Sequence, residues 1–262
     1  MRTVRPGPVI GLIVQLALLV ALEATVGLGA AGWVVGTACG VTTATMLARG
    51  LARDGAWRLG PADRVTLVRS TLVGSVAALV ADSFARPVPV AVLVSLTVVA
   101  LVLDAVDGWV ARRTGTITAL GARFDMEVDA FLILMLACYV AGAVGWWVLT
   151  IGAARYALAA AGWLLPWLRG TLPQRRWCKV VAATQGIVLT VAAAALVPAL
   201  LVSVLLAASL GLLAESFGRE VWGLWRQRSA RLTRGTGPVA PEHQPGRDVA
   251  RRSLEPVGGD GG

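Results

Sequence analysis

Histidine is almost missing from this chain. The single one, His243, stands in a polar tail, so chemistry that turns on an imidazole base has no residue in the body of the protein. Lysine is as scarce, with Lys179 alone. The three cysteines, Cys39, Cys138 and Cys178, are scattered in or beside apolar runs, with neither zinc-site spacing nor the pairing of a disulfide framework. Charged residues make up only 15% of the chain, against about 25% in an ordinary soluble domain. Short segments of alternating polarity are absent too, which excludes an outer-membrane barrel.

What is present is oil. Hydrophobic residues are 56% of the 262, and the mean hydropathy is +0.72. Apolar runs approaching the roughly 20 residues that cross a hydrocarbon core recur along the chain. Eight spans can be drawn, at residues 9–27, 30–48, 65–84, 88–103, 124–148, 151–168, 180–197 and 199–217. The fold class is therefore an all-α polytopic transmembrane bundle of about eight helices. The first run follows Arg2 and Arg5 as a secretory leader would, but it is long and a second run follows at once, so it reads as one arm of a membrane hairpin.

The net charge of +9 and pI of about 11.0 would suggest nucleic acid in a soluble protein. Here the arginines fall in alternate connections, which assigns them to topology and anionic lipid and excludes a nucleic-acid partner. Arg2 and Arg5 precede the first span, and Arg49, Arg53, Arg58 and Arg64 separate the second from the third. Arg112, Arg113 and Arg123 follow the fourth, Arg169, Arg175, Arg176 and Lys179 the sixth, and Arg219 through Arg234 the eighth. The expected protein is a multi-pass cell-membrane protein with both termini, and the connection around residue 116, in the cytoplasm. From about Arg226 the chain turns rich in Gly, Pro and Arg and reads as a disordered tail.

Between the fourth and fifth spans lies DAVDGWVARRTGTITALGARFDMEVD, residues 104–129. Asp104 and Asp107 are spaced i,i+3, and Asp125 and Asp129 i,i+4, so each pair shares a helix face. Counted outward from Thr116, Asp107 and Asp125 are each nine residues away, and Asp104 and Asp129 twelve and thirteen. An antiparallel hairpin therefore brings four carboxylates to two levels of one small volume. Four acids gathered there repel one another unless cations sit among them. Carboxylate oxygen suits Mg²⁺ or Mn²⁺, and two such ions would clamp a diphosphate. Gly108, Ala111 and Gly121 leave room for a ligand, and Arg112 can neutralise phosphate. Glu127 lies about 200° round the helix from Asp125 and is expected to face away.

The pattern D-x2-D-G-x2-A-R-x8-G-x3-D-x3-D is the signature of the CDP-alcohol phosphotransferases. Asp104, Asp107, Gly108, Ala111, Arg112, Gly121, Asp125 and Asp129 fill all eight positions with every spacing kept. The chain is similar to that family from about Pro61 to Phe217. Two weaker echoes flank the motif. PADRVTLVRS resembles the opening of the family's first core helix, with Thr66 and Arg69 in place and Asp63 where many members have asparagine. KVVAATQ resembles a later segment through Lys179 and Gln185.

The resemblance implies a six-helix core, here joined to an extra N-terminal pair. It implies transfer of a phosphatidyl or phosphoalcohol group from a CDP-linked donor, CDP-diacylglycerol in the leading reading, to a small alcohol, with release of CMP. Asp104, Asp107, Asp125 and Asp129 would hold two divalent cations, Mg²⁺ or Mn²⁺, and Asp129 would also be the base. Gly108, Ala111, Arg112, Gly121, Thr66 and Arg69 would belong to the CDP site. Homodimers are common in that family. The implied domains are 1–60, a membrane pair with a basic connection; 61–225, the catalytic core; and 226–262, the tail.

A phosphorylated acceptor needs cations, and Lys179, Arg123 and Arg176 are the candidates. Arg155 is expected near the outer end of its span, far from the hairpin, in a structural or snorkelling role. Gln15 and Glu23 read as helix-contact residues, and the tryptophans at span ends as interfacial anchors. Ala130 stands where phosphatidylglycerophosphate synthase-like members carry lysine, so the acceptor stays open. Three other readings fit less well. An intramembrane prenyltransferase keeps its two aspartate motifs on separate helices far apart, and a cation transporter needs acids across several helices. An inactive lipid-binding homologue has no reason to keep all four aspartates.

Overall fold

The computed structural model describes residues 6–53, 61–114, 119–165 and 176–235. Among them the side chains of Asp107, Ala111, Arg112, Arg123, Arg176 and Lys179 lie outside what is described. The described residues hold eight α-helices and no strand: α1 (Pro6–Val26), α2 (Ala30–Arg53), α3 (Pro61–Ser83), α4 (Val90–Thr114), α5 (Ala119–Val144), α6 (Leu149–Leu164), α7 (Arg176–Ala194) and α8 (Ala199–Gly235). The protein is a polytopic helical bundle. Six spans, on α1, α2, α3, α5, α6 and α8, are long and apolar enough to cross a membrane. Among the described residues the apolar parts of α4 and α7 are shorter, Val90–Val106 and Val180–Ala194.

Two boundaries differ from the sequence reading. The fifth span stops at Val144 rather than residue 148, because Gly145 takes φ +132° and opens a short 3-10 turn over Trp146–Val148. The eighth helix continues to Gly235, so the basic stretch after Arg226 is helical for its first residues; beyond 235 the tail lies outside the described residues.

Helix α3 is central. Within its span 78% of residues are buried, against 22% in each of α1 and α2. One face of α3 meets the N-terminal pair. Leu67 fills the space beside Gly11, Gly74 lies against Gln15, and Ala78 against Gly32 and Gly36. The glycines at i, i+4 on α2 let backbones approach: a Cβ on Gly36 would come within 2.6 Å of Leu19 and 3.2 Å of the Ala78 methyl. The other face sends Val73, Val76 and Val80 into a core shared with Leu93, Leu132, Leu136 and Leu189 of α4, α5 and α7.

A helix covered on both sides must satisfy its polar groups internally. Ser70, Thr71 and Ser75 donate to backbone carbonyls one turn back, at 2.7, 2.7 and 3.0 Å. Asp82, buried at the far end, accepts from the backbone N–H of Gly29 at 2.6 Å and of Gly32 at 2.9 Å, and pairs with Arg86. It caps the start of α2 with a carboxylate from another helix. Gln15 is buried as a contact residue, and Glu23 accepts from the Trp33 indole at 3.1 Å.

Candidate active site

The site is built by α3, α4 and α5. On α4 the apolar run continues unbroken into Asp104, and on α5 the helix opens at Ala119 and carries Asp125 and Asp129 one turn apart. Asp104, Asp125 and Asp129 converge, each offering one carboxylate oxygen, with the ligand atoms all within 4.8 Å of one another. Asp107 lies one turn beyond Asp104 on the same helix. The donor set, three carboxylates at mutual distances a hard cation can span, fits Mg²⁺ or Mn²⁺.

Behind the carboxylates stands Arg69 of α3. Its guanidinium pairs with Asp104, with Asp125 at 2.7 Å and with Asp129 at 3.0 Å, and donates to the Asp125 backbone carbonyl at 3.0 Å. Arg69 is only 1% exposed, whereas the three carboxylate side chains are 37%, 29% and 32% exposed. The arginine thus forms a floor, and the acids open on the side away from it. Thr66, expected with the nucleotide, lies one turn before Arg69 and is buried.

Gly108 and Gly121 sit on α4 and α5 at the mouth of the hairpin, both part-buried. Ala111 and Arg112 follow on α4, and Arg123 on α5. Arg176 and Lys179 open α7, which packs on α4 and α5. Gln185 is a structural clamp: its side-chain N–H donates to the Ser209 carbonyl at 2.7 Å, and the Ser209 hydroxyl donates back at 2.9 Å.

Arg155 requires a correction. Its guanidinium donates to the Glu127 carboxylate at 2.6 Å, so it reaches the hairpin helix rather than staying far from it. Gly152 of α6 packs on Leu134 of α5, so Arg155, nearly one turn further along α6, points its long side chain along α5 toward the hairpin end and reaches Glu127. Glu127 itself lies outside the converging cluster. Sequence reasoning placed Arg69 with the nucleotide and missed its position among the acids. The signal was there, since an arginine inside an apolar span demands a carboxylate partner.

The geometry defines a carboxylate centre at one end of a membrane helix bundle. The CDP-alcohol phosphatidyltransferase family model matches residues 59–214, which is more than half of the chain and includes all three helices that build the site. No curated protein and no solved structure matches the chain. The protein belongs to the CDP-alcohol phosphatidyltransferase family. It is a membrane transferase, and its acid cluster suits the divalent cations that such transferases generally use.

Proposed function

We propose that this protein transfers a phosphatidyl group from CDP-diacylglycerol to a small polar alcohol and releases CMP, as a step of phospholipid biosynthesis at the cytoplasmic face of the cell membrane. The observation that carries the reading is the convergence of Asp104, Asp125 and Asp129 within 4.8 Å inside the eight-position motif. Asp104, Asp107, Asp125 and Asp129 would hold two divalent cations, Mg²⁺ or Mn²⁺. Such ions, when bound, neutralise a diphosphate and improve CMP as a leaving group.

The chain's own residues supply the rest. Asp129 accepts the proton of the attacking hydroxyl. Gly108, Ala111 and Gly121 give the nucleotide a close approach to backbone, and Arg112 meets its phosphate. Lys179, Arg123 and Arg176 meet the charge of a phosphorylated acceptor. The apolar flanks of the bundle keep the acyl chains of donor and product in the bilayer. The catalytic core proposed for this work is 61–225, with the N-terminal pair as a packing element.

The test is an acceptor screen. Purified protein with CDP-diacylglycerol and Mg²⁺ or Mn²⁺ is offered glycerol 3-phosphate, inositol phosphate, inositol, serine or a second phospholipid, and CMP release is followed. Release with one acceptor is expected to depend on the cation and to fall by about 10²–10⁴ in Asp129→Asn. No release with any acceptor, together with no binding of CDP, would sink the reading.

A further inference from the structure

We infer that Arg69 is the positioning residue of the metal centre, a fixed internal cation that holds the three aspartates in register for the divalent ions. The inference rests on the phosphatidyl-transfer reading of the site and adds a role for a residue outside the aspartate motif.

Three observations carry it. The guanidinium touches all three converging carboxylates, through the Oδ1 of Asp104, of Asp125 at 2.7 Å and of Asp129 at 3.0 Å. It also holds the Asp125 backbone carbonyl at 3.0 Å, so it fixes the helix as well as the side chain. And it is buried at 1% while the acids are about one-third exposed, so it approaches from inside the bundle and leaves the open side to ligands.

The planar, always-charged fork suits this task. It bridges α3 to α4 and α5, and its one positive charge against three negative ones sets their spacing without neutralising them. Two units of net negative charge are left on these four groups to attract cations from the open side. A nucleotide phosphate would find the guanidinium behind the acids. Removing the guanidinium takes its counter-charge away from three carboxylates that face one another, which is destabilising. Divalent cations can then supply the missing charge from the open side. Arg69 therefore decides whether the bundle holds together by itself or leans on its metal.

The test is thermal unfolding of the full chain in detergent micelles, in chelator and across a Mn²⁺ or Mg²⁺ titration. Wild type, Arg69→Gln, Arg69→Lys and Asp125→Asn are compared. In chelator, Arg69→Gln is expected to unfold roughly 5–10 °C below wild type, with Arg69→Lys between them. Millimolar divalent cation should restore most of that loss, making the metal-induced shift of Arg69→Gln at least twice that of wild type. A purely packing role for Arg69 gives the same loss in chelator but no preferential rescue, and this outcome overturns the inference. Equal midpoints of Arg69→Gln and wild type in chelator overturn it as well. If Arg69→Gln does not fold, Arg69→Lys carries the test, with a smaller loss and the same rescue expected. A metal-induced shift in wild type that Asp125→Asn removes shows that the acids bind metal, so failure of the Arg69 variants then counts against Arg69 alone. No metal-induced shift in any protein, with no CMP release, overturns the functional reading along with the inference.

Discussion

Arg155 on α6 and Glu127 on α5 form an ion pair at 2.6 Å, and Glu127 lies in sequence between Asp125 and Asp129 while turned away from them. The pair latches α6 to the helix that carries two of the acids, on the side opposite the centre. Its side chains are 36% and 51% exposed, so its worth falls below that of a fully desolvated pair.

Breaking this pair should be worse than deleting it. An unpaired charge at a membrane-helix centre costs about 2.5–3.5 kcal/mol, and partial exposure reduces this to about 1–2 kcal/mol here. Glu127→Gln and Arg155→Met are each expected to lower the unfolding midpoint, and the double variant to recover at least half of the summed loss, with metal-dependent CMP release kept throughout. A double-mutant cycle in detergent measures the coupling, and strictly additive losses would show that the latch has no energetic content.

Gly152 and Gly142 make a controlled comparison. A Cβ on Gly152 of α6 would stand 2.6 Å from the Leu134 backbone of α5, which cannot swing aside, whereas one on Gly142 meets nothing within 4 Å. Gly152→Ala should cost about 1–3 kcal/mol by forcing the two helices apart. Gly142→Ala should be neutral or stabilise by up to about 1 kcal/mol through helix propensity. Reversible unfolding of the two variants decides it, and equal stability would refute the close contact.

Asp82 should hold the N-terminal pair to the rest of the protein. Its buried carboxylate accepts from Gly29 and Gly32 and pairs with Arg86. Asp82→Ala removes a cap and two charge-assisted bonds, with an expected loss of about 2–3 kcal/mol. The expected signature is a midpoint fall with Mn²⁺ affinity unchanged, since Asp82 lies 13 residues, about 20 Å, along α3 from Arg69. A weakened Mn²⁺ affinity would contradict the separation of the two roles.

Gln185 matches a family echo in sequence and yet serves α8. Gln185→Leu breaks two hydrogen bonds with Ser209. Interhelical bonds of this kind in membranes are worth about 0.6–2 kcal/mol, so a modest destabilisation is expected with KM for either substrate unchanged. A selective rise in KM would instead put Gln185 in a substrate pocket.

Much of this was legible in the sequence because lipid leaves few choices. Apolar runs near 20 residues become helices, and the aspartate spacings fix which faces meet. The fold class and the meeting of Asp104 with Asp125 and Asp129 follow from such local rules. Arg69 and Arg155 were harder. The nearest acid partner of Arg69 lies 35 residues away and that of Arg155 28 residues away, and only tertiary packing chooses among the acids within reach. The sequence reading of Arg155 set it near the outer end of its span, out of reach of the hairpin, whereas the long side chain found a carboxylate on the neighbouring helix. The end of the fifth span was missed for a different reason. Hydropathy is blind to Gly145, whose positive φ ends the helix inside an apolar run.

The two buried charges of α3 also differ in when their partners are made. Asp82 is answered by Gly29 and Gly32, which leave the ribosome before it, and by Arg86 only four residues later. Arg69 is answered by Asp104, Asp125 and Asp129, which leave after it. During synthesis α3 therefore arrives beside a finished docking surface at one end, while at the other its cation meets these three acids only when α4 and α5 follow. The helix pair that precedes the family core is thus made before the span that docks on it, and chains arrested before residue 104 should retain α3 in the membrane only when that pair is present.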